Sequence, residues 1–356
     1  MPQSLHLRPV QFVDSPIGRD GEVARLAGGM LWFAAYEVIE GGVRRTLSVA
    51  EFEAGLGQQN ERTAALHARI TAPRGALTLG ERTLRFDQPH AVGILNVTPD
   101  SFSDGGKQPE DPQAAADIGF AMTTAGASLI DVGGESTRPN AQLVWEGDEA
   151  KRVVPVIERL AKSGAAVSVD TRKATVMEAA LAAGAHLVND VSALLWDDRA
   201  AEVAAKAGCP VILMHSPDPQ KGPHGGTGYQ NVLTEVFDWL EARIEAAVAA
   251  GIDRARIIAD PGIGFGKSLQ DNLALLNGLA LFHGLGVPLM LGASRKRMIG
   301  ALSNEAPADQ RLGGSLALAM KGLEAGVQLL RVHDVPETVQ AIRVWRGLRD
   351  QALVGR

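Results

Sequence analysis

From residue 91 onward, short apolar runs alternate with longer segments whose apolar residues recur at helical spacing. The runs read AVGILN (91–96), SLIDVGG (128–134), AVSVD (166–170), HLVND (186–190), PVILMH (210–215), RIIAD (256–260), PLMLGAS (288–294) and LLRVHD (329–334). Their length and nearly unbroken apolar character fit strands buried on both faces. Between them lie amphipathic patterns such as DEAKRVVPVIERLAKSGA and VLTEVFDWLEARIEAAVAAG, and ETVQAIRVWRGLRD follows the last run. Several of these patterns finish on a glycine (Gly126, Gly164, Gly184, Gly208, Gly251, Gly326), a residue able to supply the left-handed conformation that ends a helix. Eight strand–helix pairs in roughly 260 residues predict an α/β fold, a (β/α)8 TIM barrel. An open doubly wound sheet is the alternative, and a count of eight disfavours it.

Residues 1–88 do not share this rhythm, so the chain divides into an N-terminal extension, 1–88, and a barrel, 89–356. GALTLGERTLRFD (75–87) alternates around Gly80-Glu81 and predicts a β-hairpin placed to plug the bottom of the barrel. MLWFAAYEVIE fits strand or helix, and VAEFEAGLGQQNERTAALHARI is largely helical in pattern. Leu31, Trp32, Phe33, Tyr36, Val38 and Ile39 are too apolar for a free tail, so they must pack on the barrel or on a second subunit. Residues 1–74 hold no cluster of His, Asp or Lys and are expected to supply no catalytic group.

The strands turn polar at their C-terminal ends. The ends carry Asn96, then Glu135-Ser136-Thr137-Arg138, Asp170, Asn189-Asp190, His215, Asp260, Ser294-Arg295-Lys296, and Arg331 with His333-Asp334. In a (β/α)8 barrel these ends meet on one face, where active sites of this fold lie. Helix capping accounts for Asp, Asn, Ser and Thr at such junctions. It does not account for Arg138, Lys296, Arg331 and His333, whose convergence points to an anionic substrate such as a phosphate ester. Asp170 and Asp260 end buried strands and need partners; a heterocycle rich in N–H donors, or Lys296, would serve. Asn189 both donates and accepts, as reading the edge of a base-like ring requires.

Composition narrows the classes. The chain has 356 residues, 46% hydrophobic and 21% charged, with net charge −6, so no broad basic field speaks for nucleic acid or a membrane surface. The single Cys209 excludes an internal disulfide and a CxxC motif and reads as a buried structural thiol. No secretory leader pattern and no membrane-length apolar run is present, which makes a cytoplasmic protein the expectation.

One stretch is more specific than the rest. NVTPDSFSDGG (96–106) is followed in order by GGESTRP (133–139), SVDT (168–171), ND (189–190), LMH (213–215), DPGIGFGK (260–267), GASRKRMIG (292–300) and RVHDV (331–335). Over about 91–345 the chain thereby resembles the dihydropteroate synthases, the folate-pathway enzymes that sulfonamides inhibit. The resemblance implies a barrel that joins 6-hydroxymethyl-7,8-dihydropterin diphosphate to p-aminobenzoate, releasing pyrophosphate and 7,8-dihydropteroate, with Mg²⁺. It implies that Asp170, Asn189, Asp260 and Lys296 hold the pterin, with Phe265 near it. It implies a diphosphate site at Asn96, Arg138, Arg331 and His333, and Mg²⁺ ligands in Asn96 and Asp104. It implies that Phe102, Thr137, Pro139 and Ser294 form the p-aminobenzoate pocket, with the mobile loops 97–107 and 135–145 closing over it. The catalytic set so implied is Asp170, Arg138, Lys296, Arg331 and His333, in a homodimer formed through late helices. Asn140 stands where the family usually has glycine, SPDPQKGPHGG after LMH departs from the family's wording, and the long N-terminal extension is atypical.

Other signals carry less. GIGFGKS (262–268) fails the phosphate-loop pattern because Pro261 occupies the required glycine. His67, His90, His224 and His283 lack a motif and read as surface or packing residues, Trp239, Trp345 and Phe237 as core or interface, and Glu241, Arg243 and Glu245 as a solvated helix face. Two readings compete with the synthase. One is a corrinoid-linked pterin methyltransferase, which has no need of a diphosphate site; the other is a non-catalytic pterin-binding barrel.

Overall fold

The structure is a computed structural model that describes residues 5–98, 111–137, 141–221, 224 and 228–354. Its N-terminal layer is an antiparallel sheet of β1 (Leu5–Val13), β2 (Ala24–Arg25), β3 (Trp32–Glu40) and β4 (Val43–Ser48), followed by α1 (Val49–Ala54) and α2 (Glu61–Thr71). β3 is central: it pairs with β1 from Leu5↔Glu40 to Val13↔Trp32 and with β2 and β4 on its other side. WFAAYEVIE is thus a strand, and LHLRPVQFV, which carries no clear sequence signal, is its partner.

The hairpin of β5 (Leu77–Leu79) and β6 (Arg82–Leu84) lies where it is expected. Its Leu77, Leu79, Leu84 and Phe86 pack against Val92, Leu129, Ala166, Leu187, Ile212, Ile258, Met290 and Leu329, at or beside the starts of the eight barrel strands. It therefore closes the N-terminal end of the barrel.

Those strands are β7 (His90–Asn96), β8 (Leu129–Gly133), β9 (Val167–Asp170), β10 (Leu187–Asp190), β11 (Val211–Met214), β12 (Ile257–Asp260), β13 (Met290–Leu291) and β14 (Leu329–Val332). They pair in parallel in the order β12-β11-β10-β9-β8-β7-β14-β13, and a parallel bridge Ala259↔Leu289 joins the two ends into a ring. Outside lie α3 (Pro112–Ala125), α4 (Glu146–Lys162), α5 (Ala174–Ala182), α6 (Ala200–Ala207), α7 (Val232–Ala249) and α8 (Leu269–Asn277). α9 (Arg297–Leu302), α10 (Leu312–Glu324) and α11 (Val335–Val354) complete the layer. The predicted helix LQDNLALLNGLALFHG is split, because Gly278 ends α8 and Leu279–Leu285 continue as a 3-10 turn. The six glycines expected to end helices all take positive φ.

The N-terminal layer buries Phe33 and Tyr36 of β3 and Phe52 of α1 in the same apolar cluster as Phe237 of α7 and Trp345 of α11. Polar ties reinforce the contact. Arg62 and Arg69 both reach Glu241 at 2.6 Å, His6 meets Asp238 at 2.7 Å, and Arg349 donates to the carbonyls of Val13 and Met30. Glu241 is therefore an interlayer anchor rather than part of a solvated face, and Arg243 donates to the Ala193 carbonyl. Among the described residues no helix is long and apolar enough to cross a membrane.

Candidate active site

Side chains alternate between the inside and outside of a barrel strand. The outward set, including Leu95, Val132, Val169, Val188, Leu213 and Leu330, joins the apolar layer under the helices. The inward set is apolar at the floor. One step higher it presents Asp131, Ser168, Asn189, Asp260 and Arg331, of which Asp131 is fully buried and Asn189 and Asp260 are each 3% exposed. Such a layer is stable only if its members satisfy one another. Asp131 accepts from Ser168 Oγ at 2.6 Å, from Asn189 Nδ2 at 2.9 Å and from Arg331 Nε at 2.6 Å. Arg331 Nη2 reaches Asp170 Oδ2 at 2.6 Å, and the Gly262 N–H donates to Asp260 Oδ1 at 2.7 Å.

Above this layer opens a cavity of about 950 Å³ on the C-terminal face. Asn96, Thr137 and Asp170 line one part of its wall, and Phe265, Ser294, Lys296, Arg331 and His333 another. Lys296 Nζ stands over the Phe265 ring, 3.8 Å from its centroid. Burial beside Arg331 pulls the Lys296 ammonium down to about 8, with Asp260 and Asp170 opposing. Burial pushes the Asp170 carboxyl up to about 7 against the pull of Arg331, and raises Asp260 as well.

The 262–268 segment is a structural loop that forms one wall. Gly262 has φ +69, and a Cβ there would lie 1.9 Å from the His215 carbonyl oxygen, so only glycine fits. Lys267 donates to the carbonyls of Gly262 and Phe265 at 2.8 and 3.1 Å, and Asn272 Oδ1 accepts from the Gly264 N–H at 2.6 Å.

Of the residues singled out in the sequence, Asn189 and Asp260 lie beneath the cavity and Asn96, Thr137, Asp170, Phe265, Ser294, Lys296, Arg331 and His333 on its wall. Phe102, Asp104, Arg138 and Pro139 fall outside the described residues. Three strand-end residues do other work. Asp190 points outward and accepts from the Ser192 and Leu194 N–H groups, a turn role of the capping kind. His215 is buried against the edge of Trp239 at 4.8 Å. Asp334 makes two hydrogen bonds to Arg295. His333 adds no charge to the basic group: burial, Arg331 and Arg295 hold its imidazole down at about 3, and Nδ1 pairs with Ser294 Oγ at 3.0 Å.

Sequence reasoning passed over Asp131 and misread His224. The latter lines the cavity, so it does belong to the site's surroundings. Also passed over is a buried network below the loop that begins at Glu135. Lys173 Nζ contacts Glu149 at 2.5 Å, Glu135 at 3.0 Å and the Val144 carbonyl at 2.6 Å, while Glu135 accepts from the Val144 N–H. The sequence trace of Asp131 is a charge inside the apolar run SLIDVGG; that it shares the inward parity of Leu129 and Gly133 shows only in the closed barrel.

The model of the pterin binding enzyme family matches residues 92–333. The dihydropteroate synthase of Escherichia coli K12 is 45% identical over 263 residues, covering 74% of this chain and 92% of that protein. The dihydropteroate synthase of Xanthomonas albilineans, solved with 4-aminobenzoic acid, is 46% identical, with TM-score 0.72 over 77% of this chain and 98% of the other. That of Yersinia pestis, solved with a sulfonamide drug, is 44% identical, with TM-score 0.73 over 78% and 100%. With the family's match spanning the strands that carry the polar layer and the cavity wall, the chain belongs to the pterin binding enzymes, among the dihydropteroate synthases.

Proposed function

We propose that this chain condenses 6-hydroxymethyl-7,8-dihydropterin diphosphate with p-aminobenzoate, forming 7,8-dihydropteroate and pyrophosphate. The observation that carries the reading is the buried layer of Asp131, Asn189 and Asp260 beneath a cavity rimmed by Asp170, Lys296 and Arg331. Carboxylates and an amide at that depth suit a flat heterocycle rich in N–H donors, and the cations above suit a diphosphate.

The residues divide the work by depth. Asp260 and Asn189 accept from the ring N–H groups, and Lys296 with the Phe265 face bounds the ring. The C–O bond to the diphosphate lies next to an electron-rich dihydropterin and breaks early, so positive charge grows on the pterin methylene. Ionised Asp170 stabilises that charge, a preorganised electrostatic effect worth a few kcal/mol. Arg331, Arg138 and neutral His333, a hydrogen-bond donor rather than a cation, receive the departing pyrophosphate. The aryl amine, held by Thr137 and Ser294 with Phe102 and Pro139, then attacks the methylene carbon and loses a proton. No covalent enzyme nucleophile takes part.

Mg²⁺ belongs to this reading. Among the described residues no group of three or more His, Cys, Asp or Glu is gathered for a metal. Asn96 brings a hard oxygen donor to the cavity wall, which fits an ion that takes much of its shell from water and substrate phosphates. Asn96 with Asp104 would hold it, and it would offset diphosphate charge. A homodimer through the late helices is also part of the reading; the exposed Val344, Leu348 and Val354 of α11 support it. Residues 1–88 act in it as an accessory layer, and the cytoplasm is its compartment.

The test is pyrophosphate release from the pterin diphosphate, followed with and without p-aminobenzoate, with the pterin product identified by mass. Release that requires the amine and yields dihydropteroate supports the reading. Release at the same rate without the amine, or no dihydropteroate, refutes it.

A further inference from the structure

His224 sits on the connection between β11 and α7, in the proline- and glycine-rich stretch where this chain departs from its family's wording. Its ring lies against two separate segments of the C-terminal face, the 262–268 loop and the loop after β8. It stacks on Phe265, centroids 5.3 Å apart and planes 19° from parallel. Nε2 lies 2.9 Å from the Thr137 carbonyl oxygen, and Nδ1 lies 3.4 Å from the Gly266 nitrogen. The partners fix the tautomer. A carbonyl only accepts and a backbone N–H only donates, so Nε2 carries the proton and Nδ1 is the acceptor. Burial, Lys296 and Lys267 disfavour a second proton on the ring.

The link spans two depths. Phe265 belongs to the deep wall, where Lys296 Nζ rests on its ring. Thr137 belongs to the rim, on the loop after β8. Asp131, Asn189 and Asp260 are held by other partners, so losing His224 would leave the deep layer intact. It would remove a side-chain tie between the rim loop and the deep wall of the cavity.

We propose that His224 is a positioning residue that ties the Thr137 loop to the Phe265 wall and so sets the affinity for the second substrate, the aryl amine, at the rim. This rests on the condensation proposed above. The imidazole touches no reacting atom in this account. It acts through the Thr137 backbone, and it makes the β11–α7 connection part of the amine pocket's support.

The test compares wild type with His224→Phe, which keeps a stacking ring and loses both hydrogen bonds, and His224→Gln, whose amide can donate and accept. Steady-state constants for both substrates and melting temperatures are measured for each. The expected result for H224F is a rise of about fivefold or more in KM for p-aminobenzoate, the scale of one lost hydrogen bond. Its kcat and its KM for the pterin diphosphate stay within about twofold, and H224Q recovers most of the loss. An unchanged p-aminobenzoate KM in H224F, or a uniform fall in every constant, overturns the proposal, as does a glutamine variant no better than phenylalanine. If H224F does not fold, H224Q against H224A decides by the same criteria. A wild-type chain that makes no dihydropteroate sinks the condensation reading instead, which separates the two failures.

Discussion

Asp170 has a protonation state poised near neutrality. Its carboxyl, ordinarily near 3.8, is pushed up to about 7 by burial, with Arg331 pulling it back and Asp131, Glu149 and Asp190 adding to the rise. Since the folded-state value lies above the unfolded one, the folded chain binds more protons in that window, and this group's contribution to stability falls as pH rises from about 4 to about 7. In the proposed mechanism activity runs the other way, because only the ionised form would stabilise the growing cation. The expected kcat/KM for the pterin diphosphate therefore rises with pH along an acid limb centred near 7. Asp170→Asn should remove that limb and lower kcat by about 100-fold or more, with little change in melting temperature. A variant within about threefold of wild type would show that the carboxylate is not needed. Asp170 was legible because it ends a strand. Asp131 was not, because it lies inside one: which parity faces inward is settled only when the ring closes. His224 was illegible for another reason, since its partners come from loops about 40 and 90 positions away and no local spacing encodes them.

At the level of elements, the hairpin is the clearest case of a pattern that survives folding. Alternation around Gly80-Glu81 specified it, and Phe86, 2% exposed, fills the barrel floor beside Leu77 and Leu84. Phe86→Ala should cost about 3–5 kcal/mol in denaturant unfolding, the usual range for a buried aromatic, while the folded fraction keeps its KM values. A small stability loss coupled to a large rise in the pterin KM would mean that the floor shapes the pocket directly. β1 shows the opposite case. Arg8 and Pro9 interrupt its pattern, yet the strand forms because it pairs only with β3, where an edge position tolerates a proline. WFAAYEVIE fits helix or strand in isolation, and its partners on both sides decide the matter.

On the scale of the whole molecule, the N-terminal layer and the barrel share one apolar cluster, and Arg62, Arg69 and His6 tie the layer to α7. Deleting residues 1–74 while keeping the hairpin should expose that cluster. The expected outcome is lower solubility or a lower melting temperature, with the specific activity of the soluble fraction changed much less. A truncated chain that stays equally stable but fails to bind pterin would move the layer into the active site. The barrel was legible because eight local patterns repeat; the seat of the extension was not, since it depends on contacts such as Arg62–Glu241 between distant segments. The hairpin floor has a further consequence, which is kinetic. A cylinder shut at one end has a single doorway, and whatever lies deepest must enter first and leave last. An amine seated at the rim before the pterin would block the way in, so the wild-type chain should show compulsory-order kinetics, and excess p-aminobenzoate should slow the reaction by occupying the threshold of an empty chamber.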